Sequence, residues 1–367
     1  MTTLDEYVLS LIYAAIHNES VPSKPVNISW TDLFRFAQKH KIESICYLSM
    51  ARKEKSDDPT MKEWAKAYSV NLCQCLAQEK EKKRLEIALN KYNIAFLPMK
   101  GWFLRSLYSR EEFRFMSDLD ILVRREDRRK AKQVMRELGY TSGKEINYDE
   151  SFYLPPFLHV ELHYDVVGID QETWYGYYKS IWNRAILVEK TEYCLSPEDF
   201  YIHMTVNFAK DYFSKGAGLR SVLDYYYFLY KFEKDLDWNY IRHELTKLDL
   251  VEIENQVREL SFYWFNKRNL EYSSPMSEKL LLDGVNGNRN NFTENYYKKK
   301  TRNIKCRFLR KPMYIVNRAF PGYKEMCYSY PILRKIPILM PYFWCRRLII
   351  KRKSIPKVWR AVRKIND

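Results

Sequence analysis

The run FMSDLDILV sets Asp118 and Asp120 two residues apart at the head of alternating apolar positions, and it constrains the fold more than any other feature of the chain. A period of two predicts a strand, so Leu119, Ile121 and Val123 should enter a core while the two aspartates leave the opposite face together. Aspartate is unfavourable in a strand. The pair is therefore either a pair of carboxylates placed for use or a solvated strand face. A second alternating run, FLHVELHYDVV, puts His159, Glu161 and His163 on one face and Val160 and Leu162 on the other. If the two strands are neighbours, Glu161 becomes a third carboxylate at the same place.

The surroundings of these runs predict an α/β unit. NIAFLPMKG is a short apolar run closed by Lys100-Gly101, and WFLRSLYSR returns to helical spacing. RREDRRKAKQVMRELGY reads as a charged amphipathic helix ending at Gly139, a residue suited to a left-handed C-cap. Strand, helix, strand, helix and strand thus follow one another within about 75 residues. Helical periods lie on both sides, in YVLSLIYAAI, TDLFRFAQKHKI and the segment Met61 to Tyr92, then in HMTVNFAK, LRSVLDYYYFLYKF and WNYIRHELTKL. Ser29, or Thr31 with Asp32, is the expected N-cap of the second helix, and Ser196 of SPED caps a later one. DGVNGNRNNFTEN reads as an exposed loop or linker.

Composition excludes several classes. Hydrophobic residues make up 46%, with 30 Tyr, 19 Phe and 9 Trp, which rules out a disordered chain. Seven scattered cysteines imply neither a disulfide framework nor a zinc site and fit a reducing cytoplasm. The N-terminus lacks the basic region and cleavage site of a secretion signal, so no export is expected. The best apolar run, IPILMPYFWC, is too short to span a bilayer and is broken by Pro337 and Pro341. The net charge of +16 points to a polyanionic partner, and the surplus collects after about residue 298, where Glu325 and Asp367 are the only acids. For the basic, Trp-bearing run RRLIIKRKSIPKVWRAVRKI, three readings stay open: an anionic membrane surface, nucleic acid as the weaker option, or a solvated tail.

The acids suit one chemistry well. Nucleotidyl transfer needs divalent metal to neutralise a triphosphate, and carboxylates are the hard oxygen ligands that magnesium takes. Lys100-Gly101 stands where a strand gives way to a helix, where a phosphate can approach free amides and a point charge. Each feature alone has a bland counterpart in a turn, a wet strand face or a satisfied histidine.

Taken together, LPMKGWFLRSLY, FRFMSDLDILV, a helix ending ELGY, and HVELHYDV resemble the uncharacterised nucleotidyltransferase family of the polymerase-beta-type superfamily. The likeness covers about residues 80 to 230, including SPED and LRSVLDYYYFL. It implies an α+β fold, with a small mixed-sheet nucleotidyltransferase core at 93–190. Helices at 1–92 and a helical bundle at 191–283 flank that core, and a basic aromatic region follows at 284–367. It also implies transfer of a nucleoside monophosphate from a nucleoside triphosphate to an unidentified small-molecule or protein acceptor, releasing pyrophosphate. By position, Asp118 and Asp120 are the metal-binding pair and Glu161 the third acid, holding two Mg2+ ions or Mn2+ in their place. Lys100, Gly101, Arg114, Ser117 and His163 form the nucleotide-binding set. One departure stands out, because Trp102 follows Gly101 where better-studied members have serine or glycine; Lys100 is expected to take part of that role.

Some residues keep two readings. Arg114 is a phosphate contact or a structural ion pair, and His163 donates to a phosphate or steadies Glu161. Arg220 and Asp224, four apart on one helix, are expected to pair. Asp224, His203 and Lys210 rank as minor candidates near the cleft. The rival to an enzyme is a catalytically inactive protein of the same fold, acting as a membrane-surface or partner-binding module. The expected location is the cytoplasm, at the inner membrane face if the basic region docks there.

Overall fold

The computed structural model describes residues 1–51, 57–145, 148–169, 171–285, 287, 297, 301 and 306–352. The short apolar run forms β1 (Phe96–Pro98), and the two alternating runs form β2 (Leu119–Val123) and β5 (Leu158–His163). With β3 (Thr141–Glu145), β4 (Asp149–Leu154), β6 (Ile186–Glu189) and β7 (Glu192–Cys194) they make one mixed sheet in the order β3-β4-β5-β2-β1-β7-β6. β2 runs antiparallel to β1 and parallel to β5. The fold is α+β.

Helices occupy both sides of this segment in sequence. Before it come α1 (Thr3–His17), α2 (Trp30–His40), α3 (Glu43–Ala51) and α4 (Thr60–Lys91); within it, α5 (Gly101–Arg105), α6 (Arg128–Glu137), α7 (Glu172–Tyr178) and α8 (Ile181–Arg184). After it come α9 (Pro197–Phe213), α10 (Leu219–Phe232), α11 (Trp238–Lys247), α12 (Val251–Ser261) and α13 (Pro275–Asp283). Their ends follow the expected chemistry. Ser29 accepts from the Asp32 amide at 3.0 Å and Ser196 from the Asp199 amide at 3.1 Å, each satisfying a first-turn donor that the helix leaves free. Gly139 takes a left-handed φ of 86° just beyond α6.

Two apolar clusters hold the elements. One lies between the sheet, α4 and α6, and contains Leu85, Leu89, Phe96, Val134 and Val160 together with Leu119, Ile121 and Val123, all inward as predicted. The larger one joins α1–α4 to α9–α13 through residues such as Leu9, Trp64, Tyr201, Phe228 and Trp264. Leu122, on the face that bears Asp120, belongs to this second cluster. β2 is thus buried on both faces, and the acidic face is not the solvated one that simple alternation suggests. His40 pins the arrangement, accepting from the Leu219 amide at Nδ1 (3.2 Å) and donating from Nε2 to the Leu281 carbonyl (3.1 Å). Burial, helped by the charge of Lys39, pulls its pKa down to about 3, so it stays neutral.

A smaller unit follows at 306–352: α14 (Arg307–Ala319), α15 (Tyr323–Ser329), two short 3-10 turns and α16 (Met340–Lys351), gathered on Met326, Cys327, Leu333 and Phe343. The basic run beyond Arg352 and most of DGVNGNRNNFTEN lie outside the described residues. Among the described residues no helix is long and apolar enough to cross a membrane, and the cysteines are free.

Candidate active site

Pairing of β2 with β5 sets Asp120 directly opposite Glu161, so adjacency in the sheet supplies the third carboxylate that the sequence required. Asp118 precedes the first residue of β2 instead of lying within the strand. Potential ligand atoms of Asp118, His159 and Glu161 lie within 4.8 Å of one another, as do those of Asp120, Glu161 and His163. Glu161 is common to both groups.

Crowding of negative charge is visible in the acids themselves. Burial, then the charges of Asp118 and Asp120, pushes Glu161 up to about 7. Burial, then Asp120, raises Asp118 above the usual carboxylate range, although the Ser117 hydroxyl hydrogen-bonds to it. Asp120 differs, since Lys100 and His163 outweigh the burial that opposes its charge and hold it well below that range. Its two oxygens are engaged: His163 Nε2 donates to Oδ1 at 2.8 Å, and Lys100 Nζ is 3.6 Å from Oδ2. Asp120 is therefore a paired acid, matched by Lys100 on one oxygen and His163 on the other. His163 steadies Asp120 more closely than Glu161, which lies 3.6 Å from the same nitrogen.

Lys100 is the strained point of the site. Its φ of 40° with ψ of −106° is a conformation that L-residues rarely adopt. Bonds on both sides impose it, with the Met99 amide donating to the Asp120 carbonyl (3.0 Å) and the Leu104 amide to the Lys100 carbonyl (3.0 Å). The twist keeps the ammonium at the carboxylates. Burial opposes its charge, but Asp120, Asp211, Asp118 and Glu161 together keep it protonated.

Gly101 is needed for a reason other than phosphate approach. A Cβ there would stand 2.4 Å from Met116 Sδ and 2.7 Å from Arg114 Nη1. Arg114 cannot easily yield, because Nε and Nη2 donate to the two oxygens of Asp224 at 2.7 and 2.9 Å, both residues being buried. Of its two expected roles, the structural ion pair is the one the geometry displays. The predicted Arg220–Asp224 pairing gives way for the same reason: Arg220 donates instead to the Phe115 carbonyl at 3.0 Å, and Tyr108 gives Asp224 a further donor at 2.7 Å.

These bonds belong to a clamp on the segment leading into β2. Carbonyls of Glu112, Arg114, Phe115 and Met116 accept in turn from Asn71, Arg105, Arg220, and both Gln74 and Gln78. Four anchored carbonyls within five residues, held from α4, α5 and α10, fix where Asp118 emerges. Buried polar groups of this kind rigidify a site when fully satisfied.

Three neighbours carry only a weak signal in the sequence. His159 stacks on Tyr153 at 4.5 Å and points Nε2 toward Glu161 Oε1, 3.6 Å away, with no hydrogen-bond partner for that buried atom among the described residues. The signal was its place on the Glu161 face of HVELH. Lys210, on α9, feels Lys100 strongly; that charge, then burial, draws its pKa down to about 8. His203, two turns earlier on the same face of α9 and hydrogen-bonded by Asn207 Nδ2 at 2.9 Å, is likewise depressed to about 3, first by burial. Both sit on a helix whose apolar pattern hides polar residues that feel the charges of Lys100 and Asp120.

Comparison with known proteins adds the following. Residues 27–266 match a family described as "Uncharacterised nucleotidyltransferase". A solution structure of the antibiotic-resistance factor ANT(2'')-Ia aligns with 54% of this chain and 95% of its own, at 14% identity and a TM-score of 0.27. No curated protein matches.

Proposed function

This chain belongs to the uncharacterised nucleotidyltransferase family, and from that footing we propose that it moves a nucleoside monophosphate from a nucleoside triphosphate to a small-molecule or protein acceptor, releasing pyrophosphate. The observation that carries this reading is the register of β2 on β5, which sets Asp120 against Glu161 beside Asp118.

The residues present fit a divalent cation. Three carboxylates crowd together, two of them pushed toward protonation by burial and then by their neighbours' charges, and the buried His159 Nε2 has no hydrogen-bond partner among the described residues. Asp118, Asp120 and Glu161 would hold it, and two overlapping donor groups sharing Glu161 support a pair of ions. Bound there, Mg2+ or Mn2+ supplies neutralisation of the triphosphate and polarisation of the α-phosphate. The imidazoles in both groups are softer ligands than magnesium prefers, which makes Mn2+ the first alternative to try.

Lys100, held at the carboxylates by its strained backbone, meets the phosphates as a point charge, and Lys210 adds a second cation from α9. Ser117 is exposed and hydrogen-bonds to Asp118. His163 fixes the orientation of Asp120. Arg114 acts through Asp224 and Gly101 by keeping the approach to β2 rigid. An acceptor oxygen then attacks the α-phosphorus in line; the new P–O bond forms as the bond to pyrophosphate breaks. We propose the cytoplasm as the place of the reaction, because nucleoside triphosphates are available there.

Purified protein mixed with each labelled nucleoside triphosphate and cell extract tests the reading. A labelled acceptor and free pyrophosphate are expected, both abolished by a chelator. Label transfer that persists without divalent metal would overturn it.

A further inference from the structure

The unit at 306–352 has an unusual surface. Leu309, Met313 and Val316 on α14, with Phe320 just beyond it, follow spacings of four, three and four, which place them on one helical face. Each is about half exposed, and Ile338 and Tyr342 stand out further, Ile338 at 84%. The elements bearing them are firmly anchored. Tyr314, on the other side of α14, is fully buried against Tyr297 with ring centres 5.3 Å apart. Trp344 Nε1 donates to the Pro321 carbonyl at 3.0 Å, and Tyr323 Oη to the Leu333 carbonyl at 3.0 Å. The apolar exposure therefore belongs to an ordered unit. Charge in the same stretch is almost wholly of one sign, with eleven Lys and Arg against Glu325 alone.

We infer that this unit docks on an anionic lipid bilayer, with the α14 face, Ile338 and Tyr342 among the acyl chains and the basic side chains at the level of the phosphates. The identity of the occupant follows from the chemistry of what is exposed. Aliphatic side chains gain by leaving water for hydrocarbon but offer no flat surface on which a base can stack, so a nucleic acid leaves the stripe unexplained. A protein partner would need an apolar face framed by acids in a matching outline. An anionic leaflet offers hydrocarbon beneath a continuous negative surface. Helices of 13 and 12 residues are too short to cross, so the unit lies in the plane of the interface. The inference stands apart from the transfer chemistry, since membrane docking neither requires nor implies turnover.

Sedimentation of the full chain with vesicles tests it, using phosphatidylcholine alone and phosphatidylcholine mixed with phosphatidylglycerol. Binding to the mixed vesicles should exceed that to neutral ones by at least about tenfold and should fall as salt is raised. Val316→Asp combined with Phe320→Asp should weaken it at least about tenfold with the circular dichroism spectrum unchanged. Arg334→Glu with Lys335→Glu, both at exposed positions, should act in the same direction. Absence of binding, equal binding to both vesicle types, or unaltered binding by the Val316/Phe320 variant would each overturn the proposal.

Discussion

Asp118→Asn and Asp120→Asn are each expected to lower metal-dependent nucleotidyl transfer by roughly a thousandfold or more, while the protein remains folded. The side chain keeps its shape and loses the charge that binds the cation. The two variants should differ in stability. Asp118 is already pushed toward its neutral form by burial and by Asp120, so its amide relieves repulsion and leaves stability unchanged or slightly improved. Asp120 is the partner of Lys100 and His163, so its amide removes the countercharge from the half-buried Lys100 and costs about 1–3 kcal/mol. Pyrophosphate release and urea unfolding, measured on the same preparations, check both halves. Turnover within about tenfold of wild type for either variant would remove the carboxylates from the chemistry.

Asp224→Ala should produce the largest loss of stability, about 3–5 kcal/mol, because it strands the guanidinium of Arg114 in a buried position. Tyr108 loses its acceptor at the same time. The damage should reach the site, since Arg114 packs against Gly101 and its carbonyl is one of those clamped ahead of β2. Asp224→Asn keeps an acceptor for Tyr108 and should fall between wild type and alanine. Unfolding by urea gives the difference directly, and a cost below about 1 kcal/mol would show the pair to be solvent-screened instead of buried.

Much of this was legible in the chain because the relevant signals are local. Period-two runs marked β2 and β5, Ser29 and Ser196 marked helix starts, and Gly139 marked an end. That Glu161 would meet the aspartates followed once the two strands were assumed adjacent. The hairpins β3–β4 and β6–β7 were missed because β3 and β6 are exposed along their whole length and so carry no one-sided apolar pattern. Pairings across long sequence separations were also invisible. Arg220 and Asp224 are neighbours on a helix, yet Asp224 chose Arg114, 110 residues away, because a bidentate fork was available there. The burial of β2 on both faces depends on where the helical bundle packs, which no property of FMSDLDILV encodes.

Calorimetry of nucleoside triphosphates with the wild-type chain and with Asp118→Asn tests whether Asp118, Asp120 and Glu161 form a cation-dependent nucleotide site. At least one nucleotide should bind in Mg2+ or Mn2+, lose that affinity in chelator, and bind at least about tenfold more weakly to the variant. Because Glu161 titrates near 7, a cation must displace a proton from it below that pH and none above. Affinity should therefore fall as the solution is taken from about pH 8 to about pH 6, with proton release growing over the same interval. Nucleotide affinity that ignores metal, pH and the Asp118 substitution alike would contradict the account.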